Sequence, residues 1–300
     1  MASTGVSRLL AAMEIGTLVS TALFGVIITQ AYIYYGRFPA DLRAIRAMVA
    51  FVMCCEVVTT LCTAHWLYVY TISANQLGKT PWSSEVLLII ISCEAACVQI
   101  FFAYRIYKFS EHLFIPALCT LLSLLRVTGN FVILVGALQT HILEDVIMKW
   151  GWLFDADWGV AALNDLIIAG TLVYLLWRQR NNVQESPKTL AIIDRIIKWT
   201  LETGLLTSLA GIITLVLFVS DRHGWIWFPW WIIQGRLFAI SLLASLNSRQ
   251  TLRAMDYCTV PIPLLRSADN ATPSRRSDDD IPAVIVAKMV GTSESTGSEP

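Results

Sequence analysis

Residues 113–138 read LFIPALCTLLSLLRVTGNFVILVGAL, a run broken only by one charged side chain, Arg126, and one carboxamide, Asn130. As a helix rising 1.5 Å per residue it is about 39 Å long, enough to cross a hydrocarbon core of about 30 Å. A helix on the surface of a soluble protein is apolar along one stripe, and this stretch is apolar all round. It reads as a membrane span, and Arg126 near its middle as a charge that needs a partner inside the bilayer.

Six more runs of this kind flank it. The seven predicted spans are 12–34, 46–70, 85–107, 113–138, 153–177, 195–220 and 225–247. Pro229 sits in the first turns of the seventh, where its missing N–H is no loss. The composition agrees. Of 300 residues 56% are hydrophobic and 15% charged, against about 25% charged in soluble domains. The 22 basic and 22 acidic side chains cancel, which argues against nucleic acid as a partner and leaves the lipid bilayer as the main one. The expected fold is all-α, a seven-transmembrane helix bundle over 12–250. A short N-terminal segment, 1–11, precedes it, and a disordered tail, 251–300, follows.

Loops alternate sides, so the basic residues can be sorted. Arg8, Lys79, Lys149 and Arg222 fall on one side; sixteen others, from Arg37 to Lys288, fall on the second, with Arg126 and Arg236 left inside spans. The positive-inside rule then puts the N-terminus outside and the C-terminus in the cytoplasm, with the plasma membrane as the expected site. The N-terminal segment has one Arg and no small-residue cleavage site, so the first span is expected to be its own insertion signal. Aromatics crowd the span ends at Tyr32, Tyr34 and Tyr35, at Trp150 and Trp152, and at Trp225, Trp227, Trp230 and Trp231. They read as interfacial anchors. In the tail, Asn270-Ala271-Thr272 matches a glycosylation acceptor on the wrong side of the membrane to be used, and Cys258 is a juxtamembrane candidate for palmitoylation.

Six of the seven cysteines lie within spans and none in an outer loop, which excludes a disulfide from the third helix to an outer loop. Of four histidines only His65 lies within the membrane, too few for a metal centre of about three protein ligands. No phosphate-binding glycine loop, nucleophile elbow or seventh-helix lysine is present. The expectation is a protein that is not an enzyme and carries neither metal nor cofactor.

The polar residues inside the spans are the candidate site. Glu56, Arg126 and Glu202 lie about 15, 20 and 11 Å from one end of their spans, and Glu94, Asp165 and Arg236 about 14, 18 and 17 Å from the other. All six therefore fall in one slab, with Gln99, Asn130, Asn164 and Gln234 close by. Four acids facing two guanidiniums predict that Arg126 and Arg236 each pair with an acid, Glu94 and Asp165 being the examples, and that a leftover carboxyl is protonated. Such a layer either fixes helix registry or lines a polar cavity for a ligand, proton or ion. In the sixth span Thr203, Thr207 and Gly211 stack at helical spacing, which suits close helix packing.

Certain stretches carry a resemblance. Gln30-Ala31-Tyr32-Ile33-Tyr34-Tyr35 with Phe38-Pro39-Ala40-Asp41, the third-span exit Phe101-Phe102-Ala103-Tyr104-Arg105-Ile106-Tyr107, Asp165 with Leu175-Leu176-Trp177-Arg178, Thr203-Gly204-Leu205-Leu206-Thr207-Ser208 and Ser245-Leu246-Asn247-Ser248-Arg249 occur in that order. Over 16–249 the chain resembles a family of multispan membrane proteins from mushroom-forming, basidiomycete fungi whose shared region is a domain of unknown function. The resemblance implies seven helices and a fungal membrane protein, and no activity or ligand.

Three roles compete. A receptor-like or sensory protein suits the helix count, the outside N-terminus and a tail able to meet a cytoplasmic protein partner, with Tyr104-Arg105 placed like a switch at the inner end of the third helix. A transporter or channel would use the midplane acids, and a membrane scaffold would need none of them.

Overall fold

The computed structural model describes residues 2–72, 81–140, 142–182, 187–222 and 226–257. They form seven helices: α1 (Ala2–Arg37), α2 (Arg43–Ile72), α3 (Trp82–Ser110), α4 (Phe114–Thr140), α5 (Leu143–Asn182), α6 (Pro187–Ser220) and α7 (Trp227–Tyr257). All seven are long and apolar enough to cross a membrane. Helices answer the bilayer's demand directly, since each N–H and C=O is satisfied within its own segment.

Local chemistry sets several ends. Pro187 opens α6, where a proline costs no hydrogen bond. Before α3, the Pro81 carbonyl accepts from both the amide and the hydroxyl of Ser84, at 2.9 and 2.6 Å. The same helix stops at Glu111, whose φ of 58° is left-handed and whose N–H donates to the Tyr107 carbonyl at 2.9 Å. Between α1 and α2, the Tyr34 hydroxyl donates to Asp41 Oδ2 at 2.9 Å and Arg46 Nη1 donates to the Pro39 carbonyl at 3.2 Å.

Each helix packs on the next, and α7 returns to α1, which closes the ring. Inside it α3 touches α2, α4, α5 and α7. One apolar cluster joins Met13 of α1, Trp66 of α2, Leu87 of α3, Ile133 of α4, Phe154 of α5, Phe218 of α6 and Trp227 of α7. Starts of odd-numbered helices thus meet ends of even-numbered ones, so the helices run alternately up and down. This is called the amino end. A second cluster, with Ile27, Tyr34, Val49, Val98 and Leu242, fills the opposite half of α1, α2, α3 and α7. Outward lie Leu121, Leu125 and Phe131 of α4 and Leu205, Leu209 and Val216 of α6, all exposed to the hydrocarbon.

Helix ends depart from the predicted spans. α1 begins at Ala2, within the segment read as preceding the first span; α5 begins ten residues before 153; and α7 runs on through 251–257, the first residues assigned to the tail. Hydropathy marks where a helix lies in lipid, and polar helix formers prolong it without a signal. Cys258, Asn270 and the rest of the tail lie outside the described residues, as do Lys79, His141, His223 and Trp225. The aromatic ends also divide. Tyr32, Trp152 and Trp230 face outward, whereas Tyr34 and Trp227 are buried, because the span ends approach one another closely enough to make a core.

A polar network inside the bundle

Arg236 and Glu56 form a fully buried ion pair between α7 and α2. The guanidinium also donates to Ser20 Oγ of α1 at 3.0 Å, to the Glu56 carbonyl at 3.0 Å and to Thr60 Oγ1 at 2.9 Å, and lies over the Phe24 ring at 5.3 Å. Three helices are fastened at one point, with each guanidinium nitrogen donating to an oxygen.

A second network lies between α3, α4 and α5. Gln99 is its centre. Its Oε1 accepts from Ser123 Oγ at 2.9 Å, Asn164 Nδ2 at 3.1 Å and Arg126 Nη1 at 3.4 Å, while its Nε2 donates to Asp165 Oδ1 at 2.7 Å. Three donors converging on one oxygen fix which end of the carboxamide is which. Arg126 is held in a two-point pair, Nε to Asp157 Oδ1 at 3.2 Å and Nη2 to Oδ2 at 3.3 Å. Asn130 Nδ2 donates to the same Asp157 Oδ1 at 2.9 Å and to Ser92 Oγ at 3.3 Å. A continuous chain runs Asp165, Gln99, Arg126, Asp157, Asn130, Ser92.

Each end of this chain borders a cavity. At one end Gln99, Asp165, Thr203, Thr207 and Ser241, with an apolar wall that includes Phe102, Leu172 and Phe238, line a small, partly open space. Towards the amino end Ser92, Arg126, Asn130, Asp157 and Gln234, with Trp158, Trp231 and Phe238, line a second small, partly open space. Asp165 is 5% exposed, yet its Oδ2 has no hydrogen-bond partner. Arg126 is committed to Asp157, so Asp165 faces its cavity without an ion pair. Gly204 lets this wall close, since a Cβ there would overlap that of Ala169 on α5.

The predicted site residues therefore separate into groups. Gln99, Arg126, Asn130 and Asp165 join one network, and Glu56 and Arg236 form another. The expected pairing of an arginine with Glu94 or Asp165 is corrected, because Asp157 and Glu56 take those places. Glu94 is buried, with Oε1 unpartnered, in neither network. Glu202 is corrected too: it lies on the outer face of α6 with its side chain 58% exposed, 3.7 Å from Lys198. The helix turns this position outward. Asp157, Ser123 and Ser92 are additions. Asp157 lies four residues into the predicted span 153–177, and its spacing to Ala161, Asn164 and Ile168 marks one helix face turned inward.

Residues of the resembling stretches also meet. Arg105 Nη1 donates to Ser245 Oγ at 2.7 Å, and Asn247 Nδ2 to the Gln30 carbonyl at 2.9 Å, tying α7 to α3 and α1.

Seven spans around buried polar chains define a multi-pass, all-helical membrane protein. Within it, residues 161–251, from the second half of α5 to α7, match a family described as "Family of unknown function (DUF6534)". No curated protein and no solved structure matches the chain.

Proposed function

We propose that this is a receptor-like seven-span protein that binds a small lipophilic amine at Asp165, a binding rather than a catalytic role. The observation that carries it is the buried Asp165 carboxyl, which has no ion-pair partner, on a cavity wall that is otherwise largely apolar. A carboxylate without a counter-charge in a low-dielectric site is costly, and an ammonium group on an apolar body answers both parts of the wall. Thr203 and Thr207 flank the acid. The basic-residue bias supports an outside N-terminus and a tail facing a cytoplasmic partner at the plasma membrane. The likeness over 16–249 supports reading the whole bundle, and not 161–251 alone, as a protein of the fungal type.

The test is equilibrium binding of phenethylammonium to the detergent-solubilised chain. Asp165→Asn is expected to weaken it more than about tenfold, the loss of one charge-assisted contact. Equal binding by both proteins overturns the assignment. A second reading, proton or cation transport, is favoured by the hydrogen-bonded chain that links two cavities. Proteoliposome flux that requires Asp165 and Asp157 would select it over a receptor.

A further inference from the structure

The cavities at Asp165 and at Arg126 and Asp157 are followed by a third at the amino end. It is partly open and is walled by Trp66, Tyr70, Phe154, Trp227, Phe228 and Trp231, with Glu85 also in its lining. Trp66 stacks on Phe228 with centroids 4.1 Å apart, and Phe228 meets Trp231 at 5.6 Å. Several of these rings lie at span ends, where sequence alone suggests anchoring; instead they turn inward around a space.

The partitions between the cavities are side chains. Leu88 and Trp231 line both the aromatic chamber and the cavity at Arg126, and Phe238 lines both the latter and the cavity at Asp165. The three spaces thus form a single file along the bundle, and a change of rotamer opens a partition without moving a helix. We infer that this file is the route by which a lipophilic ammonium ligand reaches Asp165, with the aromatic chamber as its capture subsite and Trp231 and Phe238 as its gates. The identity of the final acceptor rests on the function proposed above; the chamber and its gates do not.

The chemistry along the file suits that cargo. Ring faces attract an ammonium and its apolar body together. Across the cavities at Arg126 and at Asp165 the ionisable groups are Asp157, Asp165 and Arg126, so acids exceed bases by one there, and the aromatic chamber adds the acid Glu85. An uncharged apolar molecule gains nothing beyond the chamber.

The test pairs phenethylammonium with propylbenzene, in which a methyl group replaces the ammonium, on the full chain in detergent. Propylbenzene is expected to bind wild type and Asp165→Asn equally and to lose binding in Ala137→Phe, which fills the chamber from α4. Phenethylammonium should associate about tenfold more slowly with Ala137→Phe and faster with Trp231→Ala, its affinity staying within about twofold, because a gate alters on- and off-rates together. Unchanged association in both variants means that the ligand arrives sideways from the bilayer and overturns the route. Failure of wild type to bind propylbenzene overturns the capture subsite. If Ala137→Phe does not fold, Trp231→Ala decides by its rate alone. Asp165→Asn binding phenethylammonium normally defeats the functional reading instead, and the propylbenzene results stand apart from it.

Discussion

Arg126 and Arg236 are the two arginines left inside the spans, and they are neutralised in different settings. Arg236 is sealed, with Glu56, Ser20 and Thr60 around it; Arg126, about a tenth exposed, borders a cavity. Removing one partner of a buried pair strands the other, at about 3–5 kcal/mol. Arg126→Leu is therefore expected to lower unfolding stability in detergent by that order, and the double variant with Asp157→Asn to recover part of it. The double-mutant cycle should show coupling with Asp157 and little with Glu94. Arg236→Leu should be costlier than Arg126→Leu, measured the same way, because its other contacts are lost with it. Glu202→Gln is expected to fall within about 0.5 kcal/mol of wild type, since an exposed pair on a helix surface is worth little. Lipid-facing residues thus tolerate what the network does not.

At the scale of helices, close approach is decided by missing Cβ atoms. Gly204 faces Ala169 across the α5 and α6 contact, whereas Gly170, one residue further along α5, has nothing within 4 Å of an added Cβ. Gly204→Ala is expected to separate the two helices and cost about 1–3 kcal/mol of overpacking, and Gly170→Ala to be neutral or slightly stabilising through helix propensity. Thermal unfolding in detergent checks the pair; equal effects would mean that α5 and α6 are not in contact there. The spans themselves were legible because a bilayer imposes a one-dimensional demand, about twenty apolar residues in a row. Helix ends were not, since Leu143 and Tyr257 lie beyond any apolar run. Pairing was not legible either. Depth along the axis follows from counting residues, but rotation about it does not: Glu202 and Asp165 share the predicted slab and face opposite ways.

For the whole molecule, an odd number of crossings predicts that the two ends lie on opposite faces. Reporter tags at the two ends should register different sides, the C-terminal one in the cytoplasm given the sixteen-to-four distribution of basic residues. Two tags on the same side would mean an even number of spans.

The bond from Arg236 to the Glu56 carbonyl joins positions 180 residues apart, and this separation is also an interval in time. A ribosome adding about 5–20 residues per second needs roughly 10–40 s to travel it. Through that interval a nascent chain already holds the acid of its second helix in or beside the translocon, while the base that will neutralise it has yet to be made. A chain stopped before the seventh helix therefore carries the Glu56 carboxyl without the base that pairs with it, and a proton must neutralise it instead.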